Sequence, residues 1–207
     1  MDSKGCMKIP EYIATYKELF APLKDKPVTI LELGVLSGAS LLMWADYFEH
    51  EDSVVVGLDM SPPVNLYDLA GDSAEYIGLD QVYQYQGQQD DWYLTDSIAA
   101  KHGPFDIIID DASHRRQPTE TSFLQLKEHV KPGGFYVIED WGTGYWDSSR
   151  GFDGAHYRGS GHNAGMVGLI KDLIDEIGSM DLPEEYRRPS EWKNLDIRWG
   201  QAILRKK

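Results

Sequence analysis

The chain has 207 residues, of which 42% are hydrophobic and 26% charged, and a formal net charge of −14. That length suits one domain with a sizeable core, and the charge disfavours nucleic acid backbones and anionic membranes as partners. The single Cys6 excludes an intrachain disulfide framework or a thiolate metal cluster. No apolar stretch approaches the ~20 residues of a spanning helix, and the opening MDSKGCMKIP lacks the apolar core of a signal peptide. The expectation is a soluble cytoplasmic protein with a small-molecule partner.

In chain order, residues 9–20 predict a short helix, with Pro10 tolerated in its first turn. It belongs to a helical lead over residues 1–25. Residues 28–33, VTILEL, predict a first strand ending at Gly34. Ser37-Gly38 opens a helix with Leu41, Leu42, Trp44, Ala45 and Phe48 as its buried positions. Residues 53–59 form a second strand ending in an acid, and Pro62-Pro63 then forces a loop. Residues 81–85 are a third strand, with Val82 on one face and Tyr83 and Tyr85 on the other. A helix over 91–100 and a fourth strand over 105–110 follow. Pro118 starts a helix over 118–129 with Phe123, Leu124 and Leu126 apolar. After the turn signal Lys131-Pro132-Gly133-Gly134 comes a fifth strand at 134–138.

Residues 141–163 are rich in Gly, Ser and aromatics without periodicity, which marks either a lid over an active site or a disordered loop, and the lid is the expectation taken. Residues 165–177 are helical. Strands 194–199 and 202–205 pair as a hairpin around Gly200-Gln201. The fold class that results is α/β, a single domain over 1–207 with a doubly wound, mostly parallel seven-stranded sheet and an antiparallel C-terminal strand.

Two acidic pairs, Asp110-Asp111 and Glu139-Asp140, end the fourth and fifth strands. Functional groups in such sheets gather at the carboxyl ends of the strands, so both pairs face one cleft. Carboxylates that close repel unless a cation neutralises them or one keeps a proton, and a divalent metal is the simplest neutraliser. The alternative is that Asp110 and Asp111 cap the next helix, or that Asp110 supports the site from behind. At the first strand, ELGVLSG (residues 32–38) lets backbone approach a ligand closely, and Glu32 can reach an amine there. Gly34 and Gly38 do not make the GxGxxG spacing of a dinucleotide site. Asp59 can accept the hydroxyls of a ribose or can be a solvated strand-end acid.

Taken together, ELGVLSG, Asp59 and GQQDD (residues 87–91) resemble the class I S-adenosylmethionine-dependent methyltransferases over roughly residues 25–207. The resemblance implies that the glycine loop wraps the methionyl part of the cofactor and that Asp59 holds its ribose. It makes Gln88, Gln89 and Asp90 adenine contacts. Glu32, Gly34, Gly38, Asp59, Gln88, Gln89, Asp90 and Asp110 are then the candidate cofactor residues. More closely, DDASH, IEDW and GLIKDLID are similar to a magnesium-dependent group of sugar O-methyltransferases that act on macrolides and related natural products. That likeness places Mg2+ on Asp111, Glu139 and Asp140 and makes His114 the general base. Three carboxylates leave room on an octahedral ion for two substrate oxygens and a water, which suits a hydroxyl beside a second oxygen. His114 has an ordinary pKa near ~6.5 and is able to take the proton at neutral pH.

In the loop, Tyr145 and Trp146 are placed to stack on the acceptor or to fold the lid onto the core, and His156 and His162 are possible substrate contacts. His50, His102 and His129 are expected on the surface, and a homodimer is the expected assembly. A catechol-type acceptor is the alternative within methyl transfer. A metal-dependent hydrolase and a nicotinamide-dependent oxidoreductase are the alternatives outside it.

Overall fold

The computed structural model describes residues 8–71, 74, 78–155 and 163–207. Seven strands, β1 (Thr29–Leu33), β2 (Val54–Asp59), β3 (Val82–Gln86), β4 (Phe105–Asp110), β5 (Val130–Glu139), β6 (Trp192–Arg198) and β7 (Gln201–Lys206), form one sheet in the order β3-β2-β1-β4-β5-β7-β6. All neighbours are parallel except β7, which runs antiparallel to both β5 and β6. The chain winds outward from β1 to β3 and then returns to β4 beside β1. That reversal opens a crevice at the carboxyl ends of β1 and β4, where such sheets bind ligands.

The apolar runs of β1 and β4 are buried on both faces, as an interior parallel sheet requires. Leu31, Leu33 and Ile108 pack with helices α4 (Trp92–His102), α5 (Arg116–Leu126) and α6 (Gly165–Gly178). Ile30, Ile107 and Ile109 pack on the other face, against α1 (Pro10–Phe20) and α2 (Ala39–Tyr47). Aromatic rings fix α1 there. Tyr16 lies 5.2 Å from both Phe20 and Trp44, and Phe20 lies 5.5 Å from Phe135 of β5. Tyr12 and Tyr16 lie four residues apart on one stripe of α1. That stripe faces the carboxyl ends of β1 and β5, and Lys8, just before the helix, reaches the same strand ends.

Several boundaries differ from the sequence reading for identifiable reasons. Helix α5 starts at Arg116, so Pro118 is its third residue, still in the first turn where no backbone donor is needed. The Lys131-Pro132-Gly133-Gly134 signal lies inside β5, where it is absorbed by a register shift against β4 and a left-handed Gly133 at φ 79°. A short helix α3 (Leu66–Ala70) follows the Pro-Pro loop, because the Asn65 side chain accepts hydrogen bonds from the Tyr67 and Asp68 amides. Leu124 is exposed and Leu42 half-buried. His102 is half-buried between Tyr83 and Tyr85, with Nε2 2.7 Å from the Tyr85 hydroxyl. Among the described residues, no helix is long and apolar enough to cross a membrane.

Candidate active site

The crevice is a cavity of about 740 Å³ at the switch point of the sheet. Its first wall is the turn after β1. Gly34 adopts φ 84°, and a Cβ there would stand 2.2 Å from the Asp111 carbonyl oxygen and 2.6 Å from the Ala112 Cα. Only glycine lets the ends of β1 and β4 approach this closely. Gly38, at φ 80°, turns the chain into α2 against Val64 and lies off the cavity wall.

Asp59 lines the cavity and clamps the loop. Its Oδ2 accepts from the amides of Val35 (2.9 Å) and Leu36 (2.8 Å), and Oδ1 accepts from that of Ser61 (2.8 Å). Burial opposes the charge, but the three backbone donors outweigh it and hold the carboxyl below its ordinary value. A carboxylate has about four acceptor directions. The Ser61 side chain also hydrogen-bonds this carboxylate, so a ligand hydroxyl would have to share or displace that contact.

The second wall follows β3. Gln88, Gln89 and Asp90 all line the cavity. Gln89 is fixed in place because Nε2 donates to both oxygens of Asp110 (3.0 and 2.8 Å) and Oε1 accepts from the Ser113 amide (2.8 Å). Ser122 Oγ also donates to Asp110, at 2.8 Å. Asp110 itself is buried behind the wall, and burial pushes its carboxyl up to about 6. It acts on the cavity through Gln89.

The third wall carries the acids. Asp111, Glu139 and Asp140 meet at the ends of β4 and β5, with His114 above them. His114 Nε2 lies 3.0 Å from Asp111 Oδ1 and 3.8 Å from Asp140 Oδ2. Burial lowers the pKa of the imidazole, but the hydrogen bond to Asp111 and the surrounding carboxylates more than offset this and leave it raised. His114 and Asp140 both hold left-handed backbone, at φ 53° and 52°. Non-glycine residues rarely adopt it, and it clusters at functional sites.

Helix α1 closes the floor of this wall. The Tyr12 hydroxyl donates to Asp140 Oδ1 at 2.6 Å, and the Tyr16 hydroxyl donates to Glu139 Oε1. The Lys8 ammonium stands 2.8 Å from Asp111 Oδ2, 2.9 and 3.0 Å from the two Glu139 oxygens and 3.0 Å from Glu32 Oε1. Glu32 thus meets an amine, but that amine is the chain's own, and the other Glu32 oxygen accepts from Trp44 Nε1 (3.2 Å) beneath the cavity. Burial opposes the Lys8 charge, yet Glu139, Glu32 and Asp111 raise its pKa well above the usual value. Between Asp111 and Glu139, burial raises the Glu139 carboxyl, while Lys8 and His114 overcome burial and keep Asp111 low.

Ligand atoms of Asp111, His114 and Asp140 all come within 4.8 Å of one another. Glu139 lies outside that group and is joined to Asp111 through the Lys8 ammonium, but with it the donors are mostly hard carboxylate oxygens, the set magnesium takes. The residues present therefore fit such an ion.

Of the described segment after Asp140, Gly151 lines the cavity, and the segment is tied to the loop after β4. Thr143 Oγ1 donates to the His114 carbonyl (3.0 Å), Arg115 Nη2 to the Gly151 carbonyl (2.7 Å), and the Arg116 amide to Asp153 (2.8 Å). Trp146 packs edge-on to Phe152, with Arg150 over its ring, and Tyr145 lies 6.3 Å from Trp141. His156 and His162 lie outside the described residues.

Of the residues singled out from sequence, Gly34, Asp59, Gln88, Gln89, Asp90, Asp111, His114, Glu139 and Asp140 line the cavity, whereas Glu32, Gly38 and Asp110 support it from behind. Lys8, Tyr12 and Tyr16 were not anticipated. Their four-residue spacing is visible in the sequence, but it does not reveal which strand ends the helix faces.

Residues 31–141 match the family model of a methyltransferase domain. The chain is 35% identical over 190 residues to mycinamicin VI 2''-O-methyltransferase of Micromonospora griseorubida, an alignment covering 88% of this chain and 43% of that protein. It is 33% identical over 180 residues to demethylmacrocin O-methyltransferase of Streptomyces fradiae, covering 84% and 41%. The solved structure of MycE methyltransferase from the mycinamycin biosynthetic pathway, in complex with Mg, SAH and mycinamycin VI, shares the fold at a TM-score of 0.77 and 31% identity, covering 94% of this chain and 48% of that one. The chain spans less than half the length of these relatives. With the family model matched over more than half of its residues, on the strands that build the cavity, the chain belongs to the methyltransferase-domain family.

Proposed function

We propose that the chain is an S-adenosylmethionine- and magnesium-dependent O-methyltransferase acting on a sugar hydroxyl beside a second oxygen, on a glycosylated natural product. The observation that carries the reading is the cluster of Asp111, His114 and Asp140, with Glu139 in the same cavity wall, in one cavity with the glycine loop and Asp59. The relatives add support, since two are named mycinamicin VI 2''-O-methyltransferase and demethylmacrocin O-methyltransferase, and MycE methyltransferase was solved with Mg, SAH and mycinamycin VI.

The cavity's own groups suit the work. Asp59 presents its carboxylate to the cavity for a ribose hydroxyl, in exchange with the Ser61 side chain, and Gln88, Gln89 and Asp90 offer polar edges to a base. The carboxylates favour a sulfonium cofactor over its neutral product. Asp111, Glu139 and Asp140 would hold the magnesium ion. A bound magnesium lowers the pKa of an acceptor hydroxyl and fixes its oxygen. His114 Nε2 takes the hydroxyl proton as the methyl passes from sulfur to oxygen and S-adenosylhomocysteine departs. Alignment and charge supply most of the acceleration. The hydrogen bond to Asp111 orients the His114 ring for that role. Arg115, tied to Gly151, and the segment through Trp146 would border the acceptor and exclude water.

The same reading takes a twofold homodimer in the cytoplasm as the working state, with exposed aromatics such as Trp92 and Tyr93 available to an interface. The test is a methyl-transfer screen over sugars, glycosides and catechols. Turnover on glycosides with adjacent hydroxyls supports the reading, and turnover confined to catechols replaces the acceptor class.

A further inference from the structure

We propose that Lys8 is a tethered cation that occupies the carboxylate cluster in the metal-free protein and must leave before a divalent ion enters, so that this one side chain sets the protein's metal affinity. The inference rests on the metal-dependent reading above and concerns a residue outside the set of acids and histidine.

The Lys8 side chain is only 4% exposed, and its ammonium is within 3.0 Å of Asp111, Glu139 and Glu32. Two of those three carboxylates belong to the set that would hold magnesium. Oxygens bound to magnesium stand at about 2.0–2.1 Å from the ion. An ammonium hydrogen-bonded to the same oxygens would then lie within a few ångströms of a divalent charge, beside the buried Glu139 carboxylate. Repulsion between charges is strongest under those conditions, and the two cations exclude each other.

Lys8 is also built to move. It precedes the first turn of α1, which begins at Pro10, and lies outside any helix or strand. Its flexible four-carbon stem contrasts with Tyr12 and Tyr16, which are fixed on the helix and address Asp140 and Glu139 with neutral hydroxyls. Those two groups orient ligands without competing for the site. Glu32 is not among the proposed ligands, so its buried carboxylate serves the ammonium and stabilises the metal-free arrangement.

An affinity is weakened by the fraction of molecules whose site is open. If Lys8 vacates the cluster in about one molecule in ten or fewer, its removal tightens magnesium binding about ten-fold or more.

Two measurements test this. The first is acetylation of the wild-type protein read by mass spectrometry, with Lys17, exposed on α1, as the internal reference. Lys8 is expected to be protected without magnesium and to become several-fold more reactive at saturating magnesium, with Lys17 unchanged. Equal protection of Lys8 in both conditions overturns the inference, since the ammonium would then stay in place as a permanent counter-ion.

The second is calorimetric titration of magnesium into the wild type and Lys8→Met. At least ~10-fold tighter binding in the variant is expected. Equal or weaker binding by a folded variant overturns the role of Lys8 and leaves the metal site standing. Absence of binding in both proteins overturns the two together. Should Lys8→Met not fold, the acetylation result on the wild type decides.

Discussion

Replacing Gly34 with alanine tests whether the approach of β1 to β4 builds the site. The residue holds φ 84°, and left-handed backbone costs an L side chain roughly 1–2 kcal/mol. The new Cβ would also stand 2.2 Å from the Asp111 carbonyl oxygen and 2.6 Å from the Ala112 Cα, both backbone atoms that cannot rotate away. Overpacking of this kind adds about 1–3 kcal/mol. The expected loss is therefore about 2–5 kcal/mol, a large share of the ~5–15 kcal/mol of an ordinary domain. Relief of the clash pushes Asp111 away from Lys8 and His114 and disturbs the amides of Val35 and Leu36 that Asp59 accepts.

Two companion variants separate these contributions. Gly133→Ala has φ 79° but nothing within 4 Å of the added atom, so it should lose only the conformational part, about 1–2 kcal/mol. Gly142→Ala has open space and no left-handed backbone, so it should stay within about 0.5 kcal/mol. Urea unfolding followed by circular dichroism gives the three stabilities, and calorimetry gives S-adenosylmethionine affinity. Gly34→Ala matching Gly142→Ala in stability, with cofactor affinity intact, would refute the reasoning.

Asp59→Ala should lose S-adenosylmethionine affinity by roughly 1.5–3 kcal/mol, the worth of a hydrogen bond to a charged group, and unchanged affinity in a folded variant would contradict the role of this carboxylate. Tyr16→Phe removes the buried hydroxyl that donates to Glu139 and should destabilise the protein by roughly 1.5–3 kcal/mol, read by urea unfolding; a neutral result would sink the claim that α1 orients this acid. Asp110 carries a folded-state pKa raised to about 6, against ~3.9 when unfolded, so the native state holds its proton more tightly. Its contribution to stability is full below about pH 4 and falls as pH rises through about 6, by about 3 kcal/mol at most. Asp110→Asn should flatten that slope, and an unchanged slope assigns it to other groups. Light scattering at micromolar concentration should report a dimer, and a mass near 23.5 kDa would rule it out.

What was legible in the sequence was local. The strands β1, β2 and β4 are short apolar runs closed by an acid or a glycine, and their boundaries hold to within a residue. Both acidic pairs were visible as strand ends, and parallel topology alone brings them into one cleft. The hairpin of β6 and β7 followed from two short strand runs on either side of Gly200-Gln201. The residues that escaped depend on long-range docking. Lys8 reaches Asp111 across 103 positions of sequence and Glu139 across 131, which no local pattern encodes. The placement of α1 comes from rings on two other elements, Trp44 and Phe48 in and just past α2 and Phe135 in β5. The partition of Asp110 and Asp111 into a supporting acid and a cavity acid likewise needed Gln89 and Ser122 in place. Successive residues point to opposite sides, but the sequence does not state which side a partner covers.

The most direct test of metal-assisted methyl transfer is turnover of a glycoside acceptor with labelled S-adenosylmethionine by protein stripped with a chelator, as magnesium is titrated back. Activity should be absent after stripping and return saturably with magnesium in the wild type. His114→Ala should bind cofactor and metal yet remain ~10²–10⁴-fold slower. Equal turnover before and after removal of all divalent metal would contradict the assignment of Asp111, Glu139 and Asp140, even with methyl transfer itself intact.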